Sequence, residues 1–207
     1  MNYAYDPFTD VSQHRTEEVI FKFFASHPPT HTLLVDVGAY GRFMSNSWAL
    51  LKLGWRGLLI EPNPARRKII EEEFFDLDIE LLPIGISTAK GRAPFYLHTT
   101  VGYDSLSPDW HAADKSGVCI WIDIEPLTDV LLCRAFPPDF GLLSIDTEGF
   151  DAKIVEDLFD RNHFKPALIV TEADSYPPTC DLFERHGYGL YAIAGPANNG
   201  NLIYNRL

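Results

Sequence analysis

The sequence predicts an α/β fold built on one doubly wound, mostly parallel sheet. Three observations point there. The runs at 32–37, 57–60, 140–145 and 167–171 are almost continuously apolar rather than alternating, as strands covered on both faces are. Between them lie segments with apolar residues at helical spacing. An acidic residue stands at the end of each run: Asp36, Glu61, Asp146 and Glu172. Short connections in a β-α-β-α-β rhythm give right-handed crossovers onto both faces of a sheet, a single Rossmann-like arrangement.

Residues 12–27 carry Val19, Ile20, Phe23 and Phe24 at helical spacing, and Pro28-Pro29 stops the helix. Residues 1–30 therefore read as an N-terminal helical extension. The strand at 32–37 closes at Gly38. Ser45 or Asn46 is placed to cap a helix through Trp48, Leu50, Leu51 and Leu53, which Gly54 ends. After the strand at 57–60, Asn63 and Pro64 are an N-cap and a first-turn proline. They start a charged helix to about Phe75, where Arg66-Arg67-Lys68 faces Glu71-Glu72-Glu73 from turn to turn. A third strand spans 78–82.

The middle differs. Residues 94–124 read as an inserted region, with strands at 94–98 and 118–124 around an irregular excursion at 99–117. Loops of that length in compact domains are uncommon and often functional. The α/β rhythm then returns. A strand at 140–145 reaches Asp146, a helix covers about 150–159, and a strand at 167–171 reaches Glu172. A helix at 179–186 follows. A C-terminal antiparallel hairpin, 187–193 with 201–204, turns around Gly195-Pro196 and Asn199-Gly200. Nothing reads as a linker or repeat, so residues 1–207 are expected to be one domain.

A length of 207 residues, 46% of them apolar and 22% charged, suits an ordinary globule with a real core. The formal net charge of −12 repels phosphate backbones and no basic patch offsets it, so no nucleic-acid partner is expected. Cys119, Cys133 and Cys180 are odd in number, far apart and without a C-x-x-C. They read as three buried small hydrophobes in a reducing compartment, with no disulfide or zinc site. Residues 1–10 lack the pattern of a signal peptide, and no stretch approaches the ~20 apolar residues of a membrane span. A cytoplasmic location is the expectation.

Ligands of open parallel sheets sit beyond the carboxyl ends of the strands, where the strand order reverses. Gly38 there permits either a close backbone approach to a ligand or a positive φ. Glu61 follows Asp36 by 25 residues, near the spacing of the carboxylate that accepts from adenosine ribose hydroxyls. The turn Gly38-Ala39-Tyr40-Gly41-Arg42-Phe43 is not G-x-G-x-x-G, which a dinucleotide pyrophosphate needs. S-adenosylmethionine has no phosphate, and an acidic rim suits its sulfonium cation. It is the expected cofactor.

Several further segments carry a family likeness. They are Asp36-Val37-Gly38-Ala39, Ser45-Asn46, Leu53-Gly54-Trp55-Arg56-Gly57, Glu61-Pro62-Asn63-Pro64 and Asp104-Ser105-Leu106-Ser107. Pro126-Leu127-Thr128-Asp129, Ile145-Asp146-Thr147-Glu148-Gly149 and Val170-Thr171-Glu172 continue it. In this order, over roughly 33–205, the chain resembles the FkbM-type methyltransferases. The resemblance implies a class I methyltransferase type of fold and S-adenosylmethionine-dependent transfer, mostly O-methylation of small-molecule or sugar-containing acceptors. It implies cofactor contacts at Asp36, Gly38, Ala39, Tyr40, Ser45, Glu61, Pro62 and Asp146. Tyr40-Gly41-Arg42 stand where the family usually has asparagine, an acidic residue and glycine.

Methyl transfer is an in-line displacement, and a hydroxyl acceptor needs a base or a metal that lowers its pKa. Asp146, Glu148 and Glu172 are the catalytic candidates. Asp146 serves as base or as metal ligand, while Glu148 either joins it or caps the next helix. Asp146, Glu172 and Asp174 are a hard-oxygen set for Mg²⁺. His98 and His111 are alternative bases or solvated loop residues, and Tyr103, Trp110 and His111 line an acceptor pocket or form a satellite core. Two other readings stand beside this one. One is a non-catalytic binding module, raised by Tyr40 and Arg42. The other is a nicotinamide-dependent oxidoreductase, against which the missing glycine argues.

Overall fold

Burial on both faces shapes the main sheet. The computed structural model describes residues 1, 3, 5, 6, 9–100, 102–110, 115–173, 179–196 and 200–207. His111, Asp174 and the tip at 197–199 lie outside them. A 3-10 turn, Gln13–Arg15, precedes α1 (Thr16–Ser26), β1 (His31–Val37), α2 (Trp48–Lys52), β2 (Arg56–Ile60), α3 (Pro64–Glu73) and β3 (Ile79–Leu82). Then come β4 (Gly85–Ile86), β5 (Gly91–His98), β6 (Lys115–Glu125) and α4 (Leu127–Cys133). The last part holds β7 (Phe140–Ile145), α5 (Asp151–Arg161), β8 (Leu168–Glu172), α6 (Thr179–Arg185), β9 (Tyr188–Ala194) and β10 (Asn201–Arg206).

Seven strands form one sheet in the order β3-β2-β1-β7-β8-β10-β9. All neighbours pair in parallel except β10, which runs antiparallel to β8 and to β9. Strands β4, β6 and β5 make a separate three-stranded sheet. Successive residues of a strand point to opposite faces. Val35, Leu58 and Leu143 accordingly pack with Val130, Val155 and Phe159 on the face covered by α4, α5 and α6. Leu34, Leu59 and Leu142 pack with Ile20, Leu50 and Ile70 on the face covered by α1, α2 and α3. Both faces are dry, which is why the strands carry no polar alternation.

Local signals hold where they are self-contained. Asn63 accepts the Ala65 N–H at 2.9 Å and Pro64 opens α3. At α2 the N-cap position falls to Ser47, and the Ser45 hydroxyl accepts the N–H groups of Ser47 (3.1 Å) and Trp48 (3.0 Å). Helix α1 starts at Thr16 and not at residue 12, because His14 (φ 55°) and Arg15 (φ 60°) are left-handed. Helix α4 was not expected, although Leu127, Val130 and Leu131 bury one helical face there. The excursion is shorter than the sequence suggested, since β6 begins at Lys115, and Ser105 pairs with Tyr96 inside it. Cys119 and Cys133 are exposed, contrary to the expected buried hydrophobes. Cys119 lies on an exposed stretch of β6 and Cys133 ends α4. No described helix is long and apolar enough to cross a membrane.

Trp55 is fully buried, and its six-membered ring lies so close to Gly141 that a Cβ there would fall 2.4 Å from it. Trp55→Ala is expected to lose about 3–5 kcal/mol and Gly141→Ala about 1–3 kcal/mol. Urea unfolding checks both, as a lower midpoint with unchanged slope.

Candidate functional site

The strand order reverses between β1 and β7, and the chain there is pinned by backbone bonds. The Gly38 N–H donates to the Ile60 carbonyl and the Asp146 N–H to the Val37 carbonyl, each at 2.9 Å. Gly38 has φ 84°, and a Cβ on it would fall 1.8 Å from the Asp146 carbonyl oxygen. The glycine is thus demanded by the neighbouring strand end as well as by its own φ.

Beyond these ends opens a cavity of about 240 Å³. Among the residues singled out from sequence, Asp36, Gly38, Tyr40, Ser45, Glu61, Pro62, Asp146, Glu148 and Glu172 line it. Ala39 does not. Its side chain is buried in the core beneath the turn, and its N–H donates to the Ile60 carbonyl at 3.2 Å. Arg42 is also turned away, with its N–H on Glu73 at 2.6 Å and its guanidinium over the Trp48 ring at 5.1 Å. Tyr40 faces the cavity with Arg66 stacked on its ring at 4.4 Å.

The two acidic strand ends are buried. Asp36 accepts the Ser47 hydroxyl at 2.6 Å, and the Ser45 and Ser47 hydroxyls lie 3.0 Å apart. Burial pushes its pKa up to about 6, against the hydrogen bonds of Ser47 and Ser144. Glu61 accepts the Asn63 N–H at 2.5 Å. Burial raises its pKa to about 8; the Asn63 bond opposes this, Asp104 adds to it, and Arg66 and Arg67 offset part of it.

One wall comes from the excursion. Asp104 accepts the Asn63 amide at 2.6 Å and the His98 backbone N–H at 2.8 Å. The Ser105 hydroxyl donates to the Glu148 carbonyl at 2.6 Å, and the Trp110 indole N–H donates to the Glu148 carboxylate at 2.5 Å. A Cβ on Gly149 would fall 2.6 Å from the Trp110 ring, so the indole lies flush on that glycine. Tyr103 lines the cavity, whereas Trp110 and His98 do not.

Glu148 is left-handed (φ 55°) and does not cap α5, whose N-cap is Phe150. Asp151, which sequence reasoning passed over as a site residue, ties the neighbouring ends together. It accepts the Thr147 N–H (2.9 Å) and hydroxyl (2.6 Å) and the Glu172 N–H (3.3 Å). Asp146, Glu148 and Glu172 each bring a carboxylate oxygen within 4.8 Å of the others. Glu148 thereby joins the pair that the sequence had grouped with Asp174. Gln13, Met44, Ile84 and Phe95 line the cavity without any sequence signal that marks them, and Leu106 lines it from the Asp104–Ser107 segment of the family likeness. Among the described residues the lining holds six carboxyl groups, Asp36, Glu61, Asp104, Asp146, Glu148 and Glu172, against one guanidinium, Arg66. Such a cavity favours a cationic ligand.

The family profile described as the methyltransferase FkbM domain matches residues 36–189. No curated protein matches the chain. Among solved structures, the S-adenosylhomocysteine-bound methyltransferase of Podospora anserina is similar, with TM-score 0.53 and 11% identity over 97% of this chain and 81% of that one. The precorrin-6y C5,15-methyltransferase of Geobacter metallireducens gives TM-score 0.51 and 15% identity over 98% and 92%. A candidate O-methyltransferase of Klebsiella pneumoniae gives TM-score 0.50 and 10% identity over 97% and 83%. At these identities the likeness concerns the fold, which is that of class I S-adenosylmethionine-dependent methyltransferases.

Glu61 has a folded pKa of about 8, above its ordinary 4.5. The folded chain therefore keeps a proton that the unfolded chain gives up, so this stability is full below about pH 4.5 and is lost as pH rises to about 8. Glu61→Gln is expected to flatten the fall in Tm between about pH 5 and about pH 8 and to exceed the parent Tm at the upper end. Calorimetric scans of both proteins across that range check it.

Proposed function

The chain belongs to the FkbM methyltransferase family, and on that premise we propose that it O-methylates a small-molecule or sugar-containing acceptor from S-adenosylmethionine. The observation that carries the reading is the buried Glu61 carboxyl at the end of β2, beside the Gly38 turn in an acidic cavity with no glycine-rich phosphate cradle. Glu61 accepts from the ribose hydroxyls. Ile84, Ile86, Phe95 and Leu106 form an apolar wall suited to adenine. Asp36 and the Gly38 turn face the methionine end, and the acidic lining favours the sulfonium.

Asp146, Glu148 and Glu172 stand on the acceptor side in this reading. The acceptor oxygen attacks the methyl carbon in line, the sulfur–carbon bond breaks with its electron pair returning to sulfur, and the hydroxyl proton passes to a carboxylate. Asp146 is the base, and Glu172 and Glu148 orient the acceptor. The three carboxylates also fit Mg²⁺ by donor chemistry, being hard oxygens close together. When bound, the ion would lower the pKa of the acceptor hydroxyl. Activity retained after exhaustive chelation removes the ion from the proton transfer, and a loss of kcat in Asp146→Asn larger than in Glu148→Gln or Glu172→Gln assigns the base to Asp146.

Tyr40 and Arg42 raise the alternative of a non-catalytic module; Arg42 is turned onto Trp48, away from the cavity, while Tyr40 lines it. Titration calorimetry is expected to show saturable S-adenosylmethionine binding, weakened about tenfold or more (about 1.4 kcal/mol) by Glu61→Ala. Heat from NAD with none from S-adenosylmethionine would overturn the cofactor assignment.

A further inference from the structure

The segment before α1 adds nothing to the sheet, yet it is tied down at both ends and forms part of the cavity wall. Gln13 lines the cavity together with Met44. On one side, the Met44 N–H donates to the Val11 carbonyl at 2.8 Å, and Ser12 pairs with Met44 in an isolated parallel bridge. Asp10 folds the segment on itself. One of its oxygens accepts the Ser12 N–H (2.9 Å) and hydroxyl (2.5 Å), and the other accepts the Tyr5 hydroxyl at 2.9 Å. The Ser12 oxygen in turn accepts the Glu17 N–H at 2.9 Å.

On the other side, the Thr16 hydroxyl donates to the Gln13 carbonyl at 2.6 Å and accepts from the Asn201 amide at 2.7 Å. Asn201 is the register partner of Glu172. Residues 10–15 therefore run from the loop after β1 toward the end of β8 and the start of β10, across the edge of the cavity. Two consecutive residues of this stretch, His14 and Arg15, are left-handed, and so is Met44 at its contact. Non-glycine residues rarely adopt that conformation unless neighbouring bonds hold them there. The His14 ring packs on Gly195, where a Cβ would fall 2.4 Å from it. The segment is thus held by a few side-chain and bridge contacts against the preference of its own backbone.

We propose that residues 10–15 are a strap that lifts to exchange the ligand and closes over it, with the Ser12–Met44 bridge as latch and His14-Arg15 as hinge. The ligand in this statement rests on the methyl-donor reading above. The motion itself does not.

The test locks the strap. Ser12→Cys with Met44→Cys places two thiols on bridge partners, a spacing that a disulfide spans, in a chain whose three native cysteines are replaced by serine. Stopped-flow binding of S-adenosylhomocysteine is expected to be about tenfold slower in both directions in the oxidised form, with recovery on reduction. Trypsin cleavage after Arg15, in the absence of ligand, is expected to slow by a similar factor, since cleavage requires local opening. Asp10→Ala, which loosens the latch, is expected to speed both processes about threefold or more. Equal exchange rates in the oxidised and reduced forms overturn the gate, and equal cleavage rates overturn the motion. If S-adenosylhomocysteine fails to bind the unsubstituted protein, the cofactor reading falls, and the trypsin rates of the locked and loosened variants decide the strap alone.

Discussion

The close approach of two backbones, Gly38 at the end of β1 and Asp146 at the end of β7, is the contact on which the rest of the site depends. A side chain at 38 would occupy the place of the Asp146 carbonyl oxygen. With glycine there, the Val37 carbonyl takes the Asp146 N–H, while Gly38 and Ala39 both donate to Ile60. Three adjacent strands thus end in register where the sheet reverses its winding. Five of the six acidic side chains that line the cavity are placed relative to that line: Asp36 on β1, Glu61 past β2, Asp146 and Glu148 past β7, Glu172 on β8; Asp104 comes from the excursion.

Crowding carboxylates beyond dry strand ends has an electrostatic consequence. Desolvation disfavours the charged forms, and the raised pKa values of Asp36 and Glu61 express it. Local donors offset part of the cost: Ser47 on Asp36, the Asn63 N–H on Glu61, the Trp110 indole on Glu148. What remains is a cavity whose lining is short of positive charge, and a cationic ligand relieves the deficit. Preorganised carboxylates of this kind favour a sulfonium without needing the glycine-rich cradle that a pyrophosphate requires.

The walls come from segments remote in sequence. The excursion loop joins the end of β2, through Asp104 and Asn63, to the end of β7, through Ser105, Trp110 and Glu148. The segment before α1 bridges the loop after β1 and the start of β10. The first wall is tied by hydrogen bonds to rigid strand ends and sets the shape of the cavity. The second is held by a few contacts that keep His14 and Arg15 left-handed against the preference of their backbone.

Much of this fold was legible because its signals are local. Continuous apolar runs mark strands buried on both faces, Asn63-Pro64 marks a helix start, and acidic residues mark the strand ends. The family likeness of those same stretches pointed to the methyl donor. Tertiary structure alone decided which side chains face the cavity. It buried the side chain of Ala39, turned Arg42 onto Trp48, brought Glu148 to Asp146 and Glu172, and exposed Cys119 and Cys133. It also made Gln13 a wall residue from more than twenty positions upstream of Asp36. The physical reason is range. Periodicity and caps depend on residues within a turn or a strand of one another, and so can be read from sequence. Orientation toward a cavity depends on contacts such as Gly38 with Asp146 or Trp110 with Gly149, whose partners meet only when the sheet has formed.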